Sequence, residues 1–166
     1  MVILVMGLPG SGKSWFASRL AVAIGADYLS SDRIRKELMA ERNYSVREKE
    51  KVYNEMLRRM KDSVNPNKDL VLDATFYKQR FRNKVSGEIS GSDKLAFIEI
   101  TAPESVIRKR LSHEREFSEA DFDVYKAIRK EWEPILEKHL ELSSVDISLE
   151  DMLQKAIRYL HQIRNE

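Results

Sequence analysis

At 166 residues, 42% of them hydrophobic, the chain has the length of one domain and enough apolar side chains to build its own core. Its 29 lysines and arginines nearly balance its 27 aspartates and glutamates, so any basic site must be local, and the net charge of +2 argues against extensive tracking of a phosphate backbone. It has no cysteine, which rules out disulfides, thiolate metal sites and a cysteine nucleophile and leads us to expect a reducing, cytoplasmic setting.

The chain opens on Val2-Ile3-Leu4-Val5-Met6. This apolar run lacks a charged lead-in and is too short for a signal core or a membrane span, so it reads as a buried strand. Gly7-Leu8-Pro9-Gly10-Ser11-Gly12-Lys13-Ser14 follows at once and matches G-x-x-x-x-G-K-[ST] in full. A helix is predicted from Lys13 to about Ile24, closed by Gly25 as a C′ glycine. The motif thus lies between a strand and a helix. There, glycines let successive N–H groups converge on one concavity, and the helix N-terminus adds the positive end of its dipole. We read Gly7, Pro9, Gly10, Ser11, Gly12, Lys13, Ser14 and the adjoining Trp15 as nucleotide contacts. Lys13 is placed to reach the β- and γ-phosphates of ATP, and the Ser14 hydroxyl to ligate Mg²⁺. Asn67-Lys68-Asp69 lacks the spacer of a guanine-reading Asn-Lys-x-Asp, so the expected nucleotide is ATP.

Further strands are predicted at Asp27 to Ser30, Leu70 to Asp73, Leu95 to Thr101 and Val145 to Ser148. Helices are predicted from near Asp32, over Val46 to Ser63 and from near Pro103, with Asn65-Pro66-Asn67 as a break. A charged stretch from His113 to Asp123 has no apolar period. A long helix then carries Val124, Ile128, Trp132 and Ile135, and a last one carries Met152, Ile157, Leu160 and Ile163. Alternating strands and helices without a linker or repeat describe one α/β domain over 1–166, with a mainly parallel five-stranded sheet flanked by helices.

In such a sheet ligands bind outside the carboxyl ends of the strands, where two acids fall. Asp32 follows the second strand. It reads either as a helix N-cap or as the base for a substrate hydroxyl, with Arg35 one turn along the same face. Asp73 ends the third strand as a Walker B-like acid, either structural or engaged with Mg²⁺ or substrate. After it come Lys78, Arg80, Arg82 and Lys84 with no acid among them. Arg80 is the leading substrate contact of the four and Arg82 the second. Phe76, Tyr77 and Phe81 read as core residues before base-stacking ones.

The P-loop, Ser30-Ser31-Asp32-Arg33-Ile34-Arg35, Leu72-Asp73-Ala74-Thr75-Phe76 and Ser118-Glu119-Ala120-Asp121 resemble the small AAA-type, ATP-binding P-loop kinases grouped with polynucleotide 5′-hydroxyl kinase and zeta toxin. Gluconate and adenylylsulfate kinases are more distant relatives. The resemblance spans residues 1 to about 135, without the phosphatase domain of the first or the longer insertions of the second. It implies a P-loop kinase fold with a lid at about 112–123, Asp32 as general base, Arg35 as substrate arginine, and Arg110 and Arg115 as lid cations stabilising the transferred phosphoryl group. The expected activity is transfer of the γ-phosphate of ATP to a hydroxyl, with a nucleic-acid 5′ end first among acceptors. A sugar or nucleoside kinase, or a nucleotide-dependent switch or partner-binding ATPase, stands as the alternative.

Overall fold

The computed structural model describes residues 1–39, 45–63, 68–89, 94–113 and 121–166. Strands β1 (Val2–Met6), β2 (Asp27–Ser30), β3 (Leu70–Asp73), β4 (Leu95–Thr101) and β5 (Leu140–Ser143) form one sheet in the order β2-β3-β1-β4-β5. Every ladder in it is parallel. Parallel strands covered on both faces need apolar residues at successive positions, and β1 is buried along its whole length. Val2, Leu4 and Met6 face α3 (Val46–Ser63) and α4 (Gln79–Glu88) through Val52, Met56, Phe81 and Val85. Ile3 and Val5 face α1 (Lys13–Ile24) and α7 (Leu149–Asn165) through Phe16, Leu20, Met152 and Leu160. Phe76, Tyr77 and Phe81 are core residues, as expected.

Four strands stand where the sequence places them, but β5 is Leu140–Ser143 rather than Val145 to Ser148. The error starts upstream. Helix α6 covers Phe122–Lys130 and does not continue through Trp132 and Ile135. Pro134 is the cause. Its ring disfavours helical geometry at Glu133 and would collide with the Lys130 carbonyl. Glu131 closes the helix by donating to Ala127 and Ile128, and the Glu133 N–H turns away to the Tyr77 carbonyl at 2.8 Å. Trp132 and Ile135 still pack on the core, from an extended connector. The chain therefore reaches the sheet edge earlier, and Ile98 to Thr101 of β4 pair with Leu140 to Ser143.

Two more helices complete the framework. Helix α2 (Ser31–Leu38) follows β2 directly, and α5 (Glu104–Leu111) starts behind Pro103, which serves as its N-cap. Residues 114–120 of the expected lid, including Arg115, lie outside the described residues, as does Asn65-Pro66-Asn67. Among the described residues no helix is long and apolar enough to cross a membrane. The topology brings the carboxyl ends of β1 and β3 and the first turns of α1 and α2 to one edge of the sheet.

Candidate active site

The phosphate cradle follows from what its glycines permit. Gly7 has φ 151°, and a Cβ there would meet the Ile100 carbonyl of β4 at 2.4 Å. Gly12, with φ 97°, caps α1 without any side-chain hydrogen bond, so the first-turn N–H groups remain available to an anion. Lys13 is buried beside them. A cavity of about 640 Å³ opens over the loop, walled by Lys13, Ser14, Trp15, Asp32, Arg110, His113 and Ser144. That volume suits a nucleotide.

Arg110 belongs to this cavity, but its guanidinium is tied to the loop itself. Nη1 donates to the carbonyls of Gly10 (3.2 Å) and Ser11 (3.0 Å) and to Ser144 Oγ (2.9 Å). Ser144 Oγ in turn donates to the Ser11 carbonyl at 2.6 Å. The arginine expected as a mobile lid residue thus braces the P-loop from outside. Ser144, one residue past β5, is a wall residue that sequence reasoning missed, because the misplaced fifth strand hid its position at a strand's carboxyl end.

Asp73 lies fully buried at the end of β3, opposite Val5 of β1 and Ser30 of β2. Tyr28 donates its hydroxyl to Asp73 Oδ2 at 2.7 Å, whereas Oδ1 has no hydrogen-bond partner. Burial pushes the carboxyl above the usual aspartate range, while Lys13, the Ser14 hydroxyl and Tyr28 act against that shift. An orphaned carboxylate oxygen beside a cationic phosphate cradle fits a hydrated Mg²⁺, which Ser14 and Asp73 would help to hold and which would offset phosphate charge. Among the described residues no group of three or more acidic or histidine side chains forms a metal site, so the phosphate oxygens would supply the remaining ligands.

A second, narrower cavity adjoins the first. Pro9, Lys13, Ser31, Asp32, Arg35, Lys49, Tyr53, Thr75, Val124 and Ile128 enclose about 30 Å³. Lys13 and Asp32 line both cavities. Asp32 is not the cap of α2, a place held by Ser30. Its Oδ1 instead receives Arg35 Nη1 at 2.7 Å, one helical turn away. Arg35 Nε forms an ion pair with Glu48 of α3 at 2.8 Å, so the buried guanidinium links two carboxylates. Glu48 escaped sequence reading because Ser45-Val46-Arg47-Glu48 has the form of a capping box, which sends a glutamate back to its own helix start. The Glu48 N–H does accept that local role, donating to Ser45 Oγ at 3.2 Å, while the side chain turns inward. On the far wall the buried Tyr53 hydroxyl shares a hydrogen bond with Thr75 Oγ1 (3.1 Å) and accepts one from the Phe76 N–H (2.9 Å). Burial pushes that hydroxyl up to about 12.

The basic residues after β3 do not converge on either cavity. Arg80 is exposed, paired with Glu50 at 3.2 Å and stacked on Phe81. Lys78 pairs with Glu133 at 3.3 Å, and Lys84 donates to Asn54 at 3.1 Å. Arg82, read as a second substrate contact, is a structural cation with no exposed surface. It donates to the carbonyls of Phe76 and Pro134, both at 2.7 Å, and fastens the connector after α6 to the corner after β3.

A family model described as an AAA domain matches residues 2–136. A sequence search of curated proteins finds no match. Among solved structures, a gluconokinase from Sinorhizobium meliloti 1021 superposes with a TM-score of 0.76 at 19% identity, over 99% of this chain and 93% of its own. Kti12 from Chaetomium thermophilum in complex with ADP-AlF3 gives 0.75 at 16% identity, over 95% and 98%. The Mycobacterium tuberculosis APS kinase CysC, in complex with AMPPNP and APS, gives 0.68 at 17% identity, over 96% of both chains. At these identities the likeness is one of fold, that of P-loop kinases.

Proposed function

The chain belongs to the AAA domain family, and on that premise we propose that it is an ATP-dependent phosphotransferase acting on a hydroxyl of a small metabolite. The observation that carries this reading is the shared wall: Lys13 of the phosphate cradle and Asp32 line both cavities, so the larger one meets the smaller at a cation and a carboxylate. When bound, Mg²⁺-ATP supplies the electrophilic phosphoryl group and a diphosphate leaving group. Asp32 orients the acceptor hydroxyl and takes its proton as the oxygen attacks. Arg35 fixes the carboxylate for that task. Lys13 and the first-turn N–H groups of α1 offset the charge on the phosphate oxygens. Pro9, Val124 and Ile128 give the acceptor side apolar walls, which favours transfer over hydrolysis.

A small acceptor fits better than the polynucleotide 5′ end first expected. The smaller cavity is narrow, about 30 Å³, and the cations after β3 are engaged with Glu50, Glu133 and backbone carbonyls rather than forming a phosphate track. A gluconokinase, a sugar kinase and an APS kinase share the fold. The test is transfer of labelled γ-phosphate to sugars, sugar acids, nucleosides and 5′-hydroxyl oligonucleotides. A small acceptor is expected to be labelled, with Asp32→Asn lowering transfer about 10²- to 10⁴-fold at unchanged affinity for an ATP analogue. Transfer by Asp32→Asn at the parent rate would refute the base assignment. Labelling of oligonucleotides alone would return the reading to a polynucleotide kinase, and acceptor-independent hydrolysis stimulated by a protein would favour a switch.

A further inference from the structure

The smaller cavity contains a cation for which the proposed chemistry has no use. Lys49 lies in the first turn of α3, next to Glu48, with its backbone N–H bonded to the Ser45 carbonyl at 2.9 Å. Its side chain lines the cavity beside Asp32 and Arg35, and Nζ stands 4.9 Å from the centre of the Tyr77 ring. The charges around it are unevenly matched. Arg35 lies between Asp32 at 2.7 Å and Glu48 at 2.8 Å. Lys78, also near Tyr77, has Glu133 at 3.3 Å and Glu131 at 3.7 Å. Among the described residues, every nearby carboxylate in ion-pair contact is engaged with another cation, and none pairs with the Lys49 ammonium.

A half-buried lysine that rests on an aromatic ring and has no ion-pair partner among the described residues leaves its charge open to an anionic ligand in the cavity. Burial pushes Lys49 below the usual lysine range. Arg35 and Lys78 add to that shift, while Glu131 and Glu48 oppose it. Pro9, Val124 and Ile128 make part of the wall apolar and Ser31, Tyr53 and Thr75 add neutral hydroxyls; with Arg35 held by its two carboxylates and Lys13 in the phosphate cradle, the charged lining makes two demands on an acceptor. One is a hydroxyl for Asp32. The other is negative charge for Lys49.

We propose that Lys49 recognises an anionic group on the acceptor, so that the substrate is a small hydroxylated molecule bearing a carboxylate, phosphate or sulfate rather than a neutral alcohol. This deepens, and rests on, the phosphotransferase reading above, and it is tested in two ways. In the first, the P-loop is filled with a non-hydrolysable ATP analogue and Mg²⁺, and inorganic sulfate is titrated by calorimetry. Sulfate is expected to bind the parent and Lys49→Arg, and to bind Lys49→Gln about tenfold or more weakly. Equal binding to all three overturns the proposal. In the second, transfer is compared over matched pairs: glucose and gluconate, glycerol and glycerate, a nucleoside and its 5′-monophosphate.

The anionic member is expected to be preferred about tenfold or more in kcat/KM. Lys49→Gln is expected to remove the preference through KM at unchanged KM for ATP, and Lys49→Arg to retain it. Preference for the neutral members overturns the proposal. Absence of transfer to every acceptor refutes the phosphotransferase reading, and the sulfate titration then still decides whether Lys49 forms an anion site.

Discussion

Arg35 was expected to bind substrate, yet its guanidinium is already held by two carboxylates, and replacing it by methionine separates the two roles. The Arg35 side chain is 8% exposed and its partners are 19% (Asp32) and 4% (Glu48) exposed, so all three groups have given up most of their hydration. Breaking a buried ion pair from one side costs about 3–5 kcal/mol, because the remaining charge keeps its desolvation penalty. In a chain of this size 1 kcal/mol moves Tm by about 2–4 °C, so Arg35→Met is expected to lower Tm of the empty protein by roughly 6–20 °C. Urea unfolding and calorimetry without nucleotide measure this directly. Adding Glu48→Gln removes one of the two charges that Arg35 would leave behind, so the double variant should recover part of the loss, as non-additivity between contacting residues. A loss below about 1 kcal/mol, the scale of an exposed pair, would mean that Arg35 is free to leave Asp32 and Glu48, and the positioning role would fall.

Two further perturbations probe the same framework. Arg82→Met leaves the Phe76 and Pro134 carbonyls without their donor and is expected to cost about 3–5 kcal/mol in urea unfolding; Arg82→Lys should not restore it, since one ammonium cannot replace the planar fork, and a loss under about 1 kcal/mol would refute the clamp. Asp73, whose carboxyl burial raises above its ordinary 3.8, contributes stability present below that value and lost as pH rises through the raised one. The urea midpoint of Asp73→Asn should therefore improve relative to the parent as pH rises above the ordinary aspartate range in the empty protein, and a difference that is flat or shrinks with rising pH would contradict the burial argument.

How much of this was legible in the sequence depended on whether a feature is defined by its own residues or by its neighbours. Strands β1, β3 and β4 are largely apolar runs ended by glycine, aspartate or threonine, because parallel strands covered on both faces leave little room for polar groups. The P-loop is legible for a stricter reason, since Gly7 and Gly12 hold conformations and contacts that a Cβ would disturb. Strand β5 is an edge strand with a mixed burial pattern, and the helical spacing of Val124, Ile128, Trp132 and Ile135 runs toward it through a proline that ends the helix. Period alone misled there. Pro134 was the residue to weigh. The cluster Lys78, Arg80, Arg82 and Lys84 looked free because its counter-ions come from elsewhere in the chain: Glu50 from α3, and Glu131, Glu133 and Glu137 from the end of α6 and the connector beyond it. Local charge density could not reveal them. Lys49 presents the converse, a single lysine in a charged helix whose surroundings set it apart.

The same distant contacts bear on how an acceptor enters. Phe76 has φ 47°, a conformation that costs a non-glycine residue about 1–3 kcal/mol and persists only where its surroundings enforce it. They do so through the Tyr53 hydroxyl on its N–H and the Arg82 guanidinium on its carbonyl. That corner carries Thr75 into the cavity wall, so the β3 side is fixed by buried hydrogen bonds. The α2 and α3 side is fixed by the Asp32–Arg35–Glu48 chain. Helix α6 is attached differently. It faces the cavity with Val124 and Ile128, and apolar contacts slide at lower cost than buried ion pairs break. A space of about 30 Å³ holds about two waters, so any acceptor larger than that must displace a wall. The wall that meets it with apolar side chains alone is α6, whose ties to its neighbours, Arg129 to Glu104 and Glu131 to Lys78, are largely exposed pairs that cost little to break.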